Sequence, residues 1–553
     1  MIAVTTALLL QLLTSASPRD AKLLRDARVA QARFEGLRRM NLPRDWGGGY
    51  SGRCDAQIGR YCYWFDSTES PPRPEPKQIT DARAKLLAFL DTVAARNPTD
   101  GWVAGQRTRY LIEGGRPDDA VSAAKACRAE SWWCAALGGL SLHVAERYLA
   151  SDSAFAVALQ DMGERQRCEW LDIRVILSDN LAREFARATC ADRGRLADKL
   201  WTLGQPLWST AGNDLRTEHF SRLTMAAMQA GTANPYGMFW GNDSREMLLR
   251  YGWPEWFTQH ESATGAFTTP STTGHDREPS YYFFPDVPAA AAQPRLSDQS
   301  WNLRQPTART RYAPRHLKAM SALSHQLVRF PRGDSMLVVV AIRIFDTSLA
   351  REAFAERLAT YRKSELRVGV RQHVGGLLQM TIASDTTVFS IEAYGDSTKR
   401  AARARYTIDP LPCSAGQCLS DLLLYDPARG YSGSDATLAM NEALTDLQLP
   451  AGSPLGLLWE LQHTGKSEDG WMSVTVEPIH VSVVRRLATR LHLTPRPAPV
   501  TLSWQTMVRD GTWPESVVLR LPANARGKYR VVLEIRTRSR PTTTASREIE
   551  LVP

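Results

Sequence analysis

The chain has 553 residues, of which 43% are hydrophobic and 23% are charged, and its net charge is +10. A chain of this length divides into several domains, and its ordinary hydrophobic content excludes wholesale disorder. The 68 basic residues are scattered and seldom stand more than two together, which argues against a nucleic-acid surface. We therefore expect a multidomain protein that does not bind nucleic acid, and the helical and strand patterns described below predict the α+β class.

The N-terminus carries an apolar stretch at residues 3–13, followed by small residues. The stretch has the length of a signal-peptide core and is too short to cross a bilayer. Residues 1–20 are therefore predicted to be a signal peptide. The later apolar run 336–342 ends at Arg343, so we expect no transmembrane segment in the mature chain and an extracytoplasmic location, periplasmic or secreted.

Eight cysteines fall into four close couples along the chain. The couples are Cys54/Cys62, Cys127/Cys134, Cys168/Cys190 and Cys413/Cys418. Local pairs in an even number are typical of short-loop disulfides formed in an oxidising compartment, and the alternative is a set of buried thiols. We predict that all eight are disulfide-bonded and structural, in agreement with export.

The N-terminal part is predicted to be helical. Segment 21–79 begins with an amphipathic helix over residues 21–42 and ends in a Pro-rich linker. Residues 80–205 are rich in Ala and Leu, and three pairs of small residues there are 34 residues apart, the period of tetratricopeptide hairpins. The pairs are Gly105/Gly139, Ala120/Ala154 and Ala124/Ala158. Such repeats usually bind peptides or partner proteins, and a plain Ala-rich bundle is the alternative.

The spacing of two cysteine couples constrains these helices. On one continuous helix Cys127 and Cys134 would lie about 10 Å apart, whereas a disulfide needs Cα atoms within roughly 7 Å. A turn is therefore predicted around residues 128–131. Cys168 and Cys190 are predicted to join successive helices.

Residues 206–285 are predicted to form a small aromatic-rich central domain, with a helix over residues 219–230 leading into it. Its densest part supplies six candidate ligand-binding residues. They are Trp240, Asp243, Arg245, Arg250, Tyr251 and Trp253. Aromatic residues with interspersed Arg are typical of binding hot spots, and the alternative is that they form the core of the small domain.

After a linker at 286–320, the apolar pattern changes to a period of two, which indicates strands. Strands are predicted in a β domain over 321–433 and in a β-sandwich domain over 434–553, both Ig-like. The strands are expected at 336–345, 377–382, 388–392, 422–425, 455–461, 472–476, 501–504, 516–521, 529–535 and 547–552. An amphipathic helix is expected at 348–361, and a tight turn between Cys413 and Cys418.

The stretch 239–255 resembles the core of the GWxTD-type domain, which occurs in exported bacterial proteins of unknown function. The matching positions are Trp240, Asp243, Arg245 and the run Arg250-Tyr251-Gly252-Trp253-Pro254. Phe239 and Asn242 replace the Gly and the Thr of the family motif. The resemblance extends over residues 210–553 and implies an exported bacterial protein, without any known activity or catalytic residues.

Motifs of enzymatic chemistry are missing from the sequence. There is no HExxH, CxxC or phosphate-binding loop, and the run 430–434 lacks the last Gly of a nucleophile elbow. We therefore predict a non-enzymatic binding or assembly protein of the bacterial envelope, with an envelope protein or peptide as partner and without catalytic residues, cofactor or metal. The alternative is an enzyme or carbohydrate-binding protein that acts on envelope polymers through the central segment, using Asp243, Glu246 and Glu255.

Overall fold

The computed structural model describes residues 18–42, 56–59, 61–63, 74–235, 240–253, 256–259, 272–275, 280–286, 295–305, 308–351, 355–369, 373–374, 377–414, 416–427, 436–479, 499–521, 523 and 525–553. Residues 1–17 of the predicted signal peptide and Cys54 lie outside these residues, whereas residues 18–20 belong to the first helix. The chain forms two compact units. The helical unit comprises residues up to 206, 210–290 and 301–316, and the β unit comprises 207–209, 291–300 and 317–553.

Helices dominate the helical unit, as the sequence predicts. They are α1 (Pro18–Asn41), α2 (Lys77–Arg96), α3 (Gly101–Glu113), α4 (Pro117–Lys125), α5 (Ser131–Val144), α6 (Tyr148–Asp161), α7 (Glu164–Trp170), α8 (Asp179–Ala186), α9 (Cys190–Gly204), α10 (Asp214–Gln229) and α11 (Asn242–Tyr251). Two short hairpins accompany them: β1 (Ala56–Ile58) with β2 (Tyr61–Tyr63), and β3 (Trp256–Gln259) with β4 (Thr272–His275). Each helix from α1 to α6 packs against the next, and α10 packs against α3, α5 and α6.

The α3–α4 and α5–α6 hairpins close with the same turn. Arg116 N donates to Leu111 O and Arg147 N donates to Leu142 O, both at 2.9 Å. Gly115 and Glu146 precede these arginines with φ of 70° and 59°. The equivalent arginines are 147 − 116 = 31 residues apart, so the hairpins repeat with a shorter spacing than the Ala and Gly pairs suggest. The hairpin architecture is present, and assignment to the tetratricopeptide class stays a prediction.

Three of the four predicted disulfides are present in the described residues. Cys127–Cys134 spans the turn between α4 and α5, and its Cα atoms are 5.6 Å apart; the turn predicted there is confirmed. Cys168–Cys190 joins α7 to α9 with α8 between them, so the helices it links are not successive. Cys413–Cys418 closes a tight turn in the β unit. The pairing of Cys54 with Cys62 stays a prediction.

The β unit contains the strands that the sequence predicts and several more. They are β5 (Ala319–Ala322), β6 (Ser324–Arg332), β7 (Ser335–Arg343), β8 (Ala355–Arg362), β9 (Glu365–Val368), β10 (His373–Val374), β11 (Leu377–Ala383), β12 (Thr387–Gly395), β13 (Arg400–Ile408), β14 (Gln417–Leu419), β15 (Leu423–Tyr425), β16 (Gln448–Pro450), β17 (Pro454–His463), β18 (Glu468–Pro478), β19 (Val500–Val508), β20 (Gly511–Arg520), β21 (Gly527–Thr537) and β22 (Thr543–Val552). Two short helices accompany them, α12 (Thr347–Ala350) and α13 (Ala436–Asn441).

These strands form four sheets with three apolar cores between them. The first sheet has the order β5-β13-β12-β8-β9 and the second β10-β11-β7-β6. In the third, β14, β15 and β20 pair with β17, and the fourth has the order β16-β22-β21-β18-β19. Apolar side chains of the first and second sheets share one core, the second and third share another, and the third and fourth share the last. Packed β-sheets are therefore confirmed, and Ig-like topology stays a prediction.

The helix predicted at 348–361 is wrong. The structure has only the four-residue helix α12 at this point, where the carboxylate of Asp346 accepts from the N–H groups of Ser348 and Leu349. Leu358 and Tyr361, expected on the apolar face of that helix, lie instead in β8. This strand pairs with β9 and β12, and the hydrogen bonds from two neighbouring strands outweigh a helical spacing of apolar residues.

Candidate ligand-binding site

A cavity of about 340 Å³ opens in the helical unit beside α3, α5 and α10. We call it the tryptophan pocket, because Trp102, Trp132 and Trp133 line it together with Gln106, Glu130 and Met228. The remaining lining residues are small. Volumes of this size, walls that are largely aromatic and a few polar groups are typical of ligand sites.

Glycines on α3 make room for the pocket. A Cβ atom at Gly105 would lie 3.1 Å from the Trp133 ring and 3.3 Å from Met228, and one at Gly101 would lie 3.2 Å from the same ring. The absence of both side chains therefore lets the indole of Trp133 lie directly against α3. Asp100 fixes the start of this helix, because its carboxylate accepts from Val103 N at 2.8 Å.

The Cys127–Cys134 disulfide closes the loop that forms one wall of the pocket. Glu130, Trp132 and Trp133 all stand within the loop that this bond closes. Trp133 is buried, and its Nε1 donates to Gly101 O at 2.8 Å. Trp132 is partly buried, and its Nε1 donates to the Glu130 carboxylate. Both indoles are thus held in place by their own N–H groups.

Further aromatic contacts fix the orientation of the rings. The centroids of Trp132 and Trp133 are 5.4 Å apart with an interplanar angle of 60°. Trp132 also meets Trp170 of α7 edge to face at 6.0 Å. Trp102, on the α3 side, has the guanidinium of Arg28 over its ring at 4.5 Å from the centroid. These contacts leave the pocket with a preorganised aromatic wall.

A buried charge network stands behind the pocket. Gln106 Nε2 donates to Met228 O at 2.9 Å, and Gln106 Oε1 accepts from Arg109 Nη1 at 3.4 Å. Arg109 in turn pairs with Glu35 of α1 and with Glu113. Although burial opposes it, the carboxylates of Glu113 and Glu35 raise the pKa of Arg109, so its guanidinium stays charged. Gln106 therefore connects the pocket to this buried charge network.

A second buried polar cluster surrounds Asp214 at the start of α10. Tyr312 Oη donates to Asp214 Oδ2 at 3.1 Å, and His316 Nδ1 lies 3.9 Å from the same oxygen. The ring of Tyr148 lies 5.7 Å from that of His316. Burial raises the pKa of Asp214 to about 7. No group of three or more His, Cys, Asp or Glu side chains in the described ranges suits a metal ion.

The pocket lining contains none of the six sequence-predicted candidate residues, all of which lie in the described part of the chain. Trp240 and Trp253 are partly buried and pack against the apolar core that also contains Trp133 and Met228. The ring of Trp253 lies 5.5 Å from the Arg109 guanidinium. Tyr251 is buried in a separate small cluster. The three aromatic residues therefore contribute to packing, and ligand binding by them stays a prediction.

The charged candidates lie on α11. The Asp243 carboxylate accepts from Ser244 N at 2.8 Å at the start of the helix. Arg245 is exposed, and Arg250 pairs with Glu246 one turn earlier. Glu255 lies outside the described residues. The enzymatic alternative, which uses Asp243, Glu246 and Glu255, therefore stays a prediction.

Sequence reasoning missed the residues of the tryptophan pocket. One signal for them was present, since the adjacent Trp132 and Trp133 stand inside a predicted disulfide loop. Trp102 and Met228 gave no such signal, because only the packing of α3 and α10 brings them to the same place.

Comparisons with known proteins do not identify the chain. No protein-family model matches it, and no characterised protein matches it in sequence. Among solved structures, it is similar to red sea bream transglutaminase with 8% identity and a TM-score of 0.15, over 42% of this chain and 31% of that one. It is also similar, with 8% identity and a TM-score of 0.15, to a protein from Corynebacterium diphtheriae described as a putative membrane anchored protein. This similarity covers 42% of this chain and 57% of that one. Similarity at this TM-score carries no argument about fold or function.

Across the described ranges, no helix combines the length and the apolar character that crossing a bilayer demands.

Proposed function

We propose that this protein is an exported, non-enzymatic binding protein of the bacterial envelope, and that its helical unit binds a side chain of an envelope protein or peptide in the tryptophan pocket. The pocket itself carries the proposal, because three tryptophans and one carboxylate surround about 340 Å³ of space. Tryptophan is one of the residues that are enriched among those that dominate the free energy of protein association.

The rigidity of the pocket supports this role. Its wall is held in place by the Cys127–Cys134 disulfide, by the hydrogen bond of the Trp133 indole, and by the buried charge network that Gln106 contacts. A site that is already ordered loses little conformational entropy when it binds its ligand. Helical hairpins of this kind, if they belong to the tetratricopeptide class, are also common platforms for peptides.

The cysteines support the proposed compartment. Six cysteines form three disulfides in the described part of the chain, and such bonds form and persist in oxidising compartments. The apolar stretch at residues 3–13 and the resemblance to GWxTD-type exported proteins belong to the same proposal. The central segment would then support the helical unit rather than hold the ligand.

Selection from a displayed library of envelope-protein peptides tests the proposal. We expect peptides that bind the intact wild-type protein to lose at least about 30-fold in affinity with Trp132→Ala, since loss of a hot-spot residue costs about 2 kcal/mol or more. Trp132 is only partly buried, so this variant should keep its fold, which circular dichroism checks.

Trp471→Ala is the matched control. Trp471 is 56% exposed on β18, and its removal should leave peptide affinity unchanged. The proposal fails if no peptide is selected, if Trp132→Ala binds the selected peptides as well as the wild type, or if the intact protein binds or cleaves envelope glycans in place of peptides.

A further inference from the structure

We infer that the tryptophan pocket is selective for a cationic side chain, a lysine or an arginine of the polypeptide partner. This inference rests on the proposed function and specifies the chemistry of the group that enters the pocket. Its basis is the combination of aromatic surface with a single negative charge in one cavity.

The charge of the lining is the first observation. Among the described residues that line the pocket, Glu130 is the only charged one. Its side chain is exposed, which places the carboxylate at the rim, within reach of the charged end of an entering group. An anionic group would meet repulsion here, whereas a purely apolar one would gain nothing from the carboxylate, which already accepts from the Trp132 N–H.

The orientation of the indole groups is the second observation. The N–H of Trp133 is bonded to Gly101 O, and the N–H of Trp132 to the Glu130 carboxylate. Since both donors are occupied, neither indole has an N–H group left for an acceptor, and ring surface is what the two tryptophans can still offer an entering group. The face of a tryptophan ring attracts cations more strongly than that of any other side chain.

The structure already contains one such contact at the pocket. The Arg28 guanidinium lies 4.5 Å from the centroid of Trp102, although Arg28 does not itself line the cavity. This ring therefore already has a cation against it, and the rings left for an entering cation are those of Trp132 and Trp133. The long aliphatic stems of lysine and arginine could pack along Met228 and Ala227 while the charge reaches the rim.

A lysine or arginine side chain fits better than a small quaternary amine. Only the side chain has an aliphatic stem that can pack along Met228 and Ala227 while its charge lies at the rim.

Titration of the intact protein with acetyl-Ala-X-Ala-amide peptides, followed by tryptophan fluorescence, tests the inference. We expect the peptides with X as lysine or arginine to bind about 5- to 30-fold more tightly than the norleucine peptide. Glu130→Gln should remove most of this preference and leave norleucine binding unchanged. Glu146→Gln, which removes an exposed carboxylate outside the pocket, should leave the preference intact.

Three results would overturn the inference. They are norleucine binding as tight as that of lysine, a preference that survives Glu130→Gln, and tetramethylammonium binding as tight as that of the lysine peptide. If norleucine binds equally well and Trp132→Ala abolishes it, only the cation preference is wrong. If the wild type binds none of these peptides or Trp132→Ala changes nothing, the proposed function fails as well.

Discussion

Nη2 of Arg109 lies 2.6 Å from Oε1 of Glu35, and neither side chain has any solvent exposure. Arg109 Nε also pairs with Glu113 at 2.8 Å, and Arg38 pairs with the other oxygen of Glu113 at 2.8 Å. The network joins α1 to α3. Because a buried charge that loses its partner keeps the full cost of desolvation, the network depends on every member.

Neutralising Glu35 should therefore destabilise the helical unit. We expect Glu35→Gln to lower the free energy of unfolding by about 3–5 kcal/mol, because it leaves Arg109 and Arg38 short of negative charge. Hydrogen exchange of α1 amides during urea titration measures this. Asp81→Asn, which breaks the exposed Lys77–Asp81 pair, is the control and should cost less than about 1 kcal/mol. Equal losses in the two variants would contradict a special role for the buried network.

The buried carboxyl of Asp214 should make stability depend on pH. Its pKa is raised by burial from 3.8 to about 7 in the folded state, so the folded protein binds a proton that the unfolded chain has released. The stability from this group is complete below pH 4 and is lost as the pH rises towards 7. Tyr312, Tyr148, His316 and Glu218 face this carboxyl.

Asp214→Asn isolates this effect. We expect the variant to gain about 2–4 kcal/mol relative to the wild type at pH 8 and little at pH 4. Thermal unfolding of both proteins at the two pH values gives the difference directly. His219 is also buried, and its pKa is lowered to about 3, but its contribution is common to both proteins and cancels. A constant difference at both pH values would show that Asp214 does not titrate in this range.

Two neighbouring glycines in α5 should respond in opposite ways to alanine. A Cβ atom at Gly139 would lie 2.8 Å from the buried ring of Phe155, whereas one at Gly138 meets nothing within 4 Å. We expect Gly139→Ala to destabilise by about 1–3 kcal/mol through overpacking. Gly138→Ala should stabilise by up to about 1 kcal/mol through helix propensity. Thermal unfolding of the two variants tests this. Destabilisation by both would show that helix propensity does not determine the effect of Gly138→Ala.

The Cys127–Cys134 disulfide should matter to both stability and binding. We expect replacement of both cysteines by serine to cost about 2.5 kcal/mol from loop entropy and to weaken peptide binding, because the loop carrying Trp132 loosens. Replacing Cys413 and Cys418 in the same way is the control, since this turn is in the β unit. Unchanged affinity in the first variant, or an equal loss in both, would argue against the disulfide as a support of the pocket.

Some elements were predictable because their signals are local. Around Met336 and around Trp459, apolar residues alternate with polar ones or follow one another directly, which predicts a strand. Both strands are present, as β7 and β17. The strand β13 was missed, because its buried Arg403 and Arg405 look solvent-exposed in sequence. Arg405 is buried because it pairs with Glu392 at 3.0 Å and covers the Trp208 ring at 4.0 Å. Glu392 lies on the neighbouring strand β12, and Trp208 is distant along the chain, so neither contact shows in the local sequence of β13.

The amino-acid sequence was enough to predict the change from helices to strands and the pairing of three cysteine couples, because the first depends on the local period of apolar residues and the second on cysteines that are near neighbours along the chain. Tertiary structure alone decided which tryptophans form a pocket. Trp240 and Trp253 have the composition of a binding site but pack into the core, while Trp102 and Trp132 line the cavity. The difference arises from how α10 packs against α3 and α5, and such contacts between distant segments leave no periodic trace in the sequence.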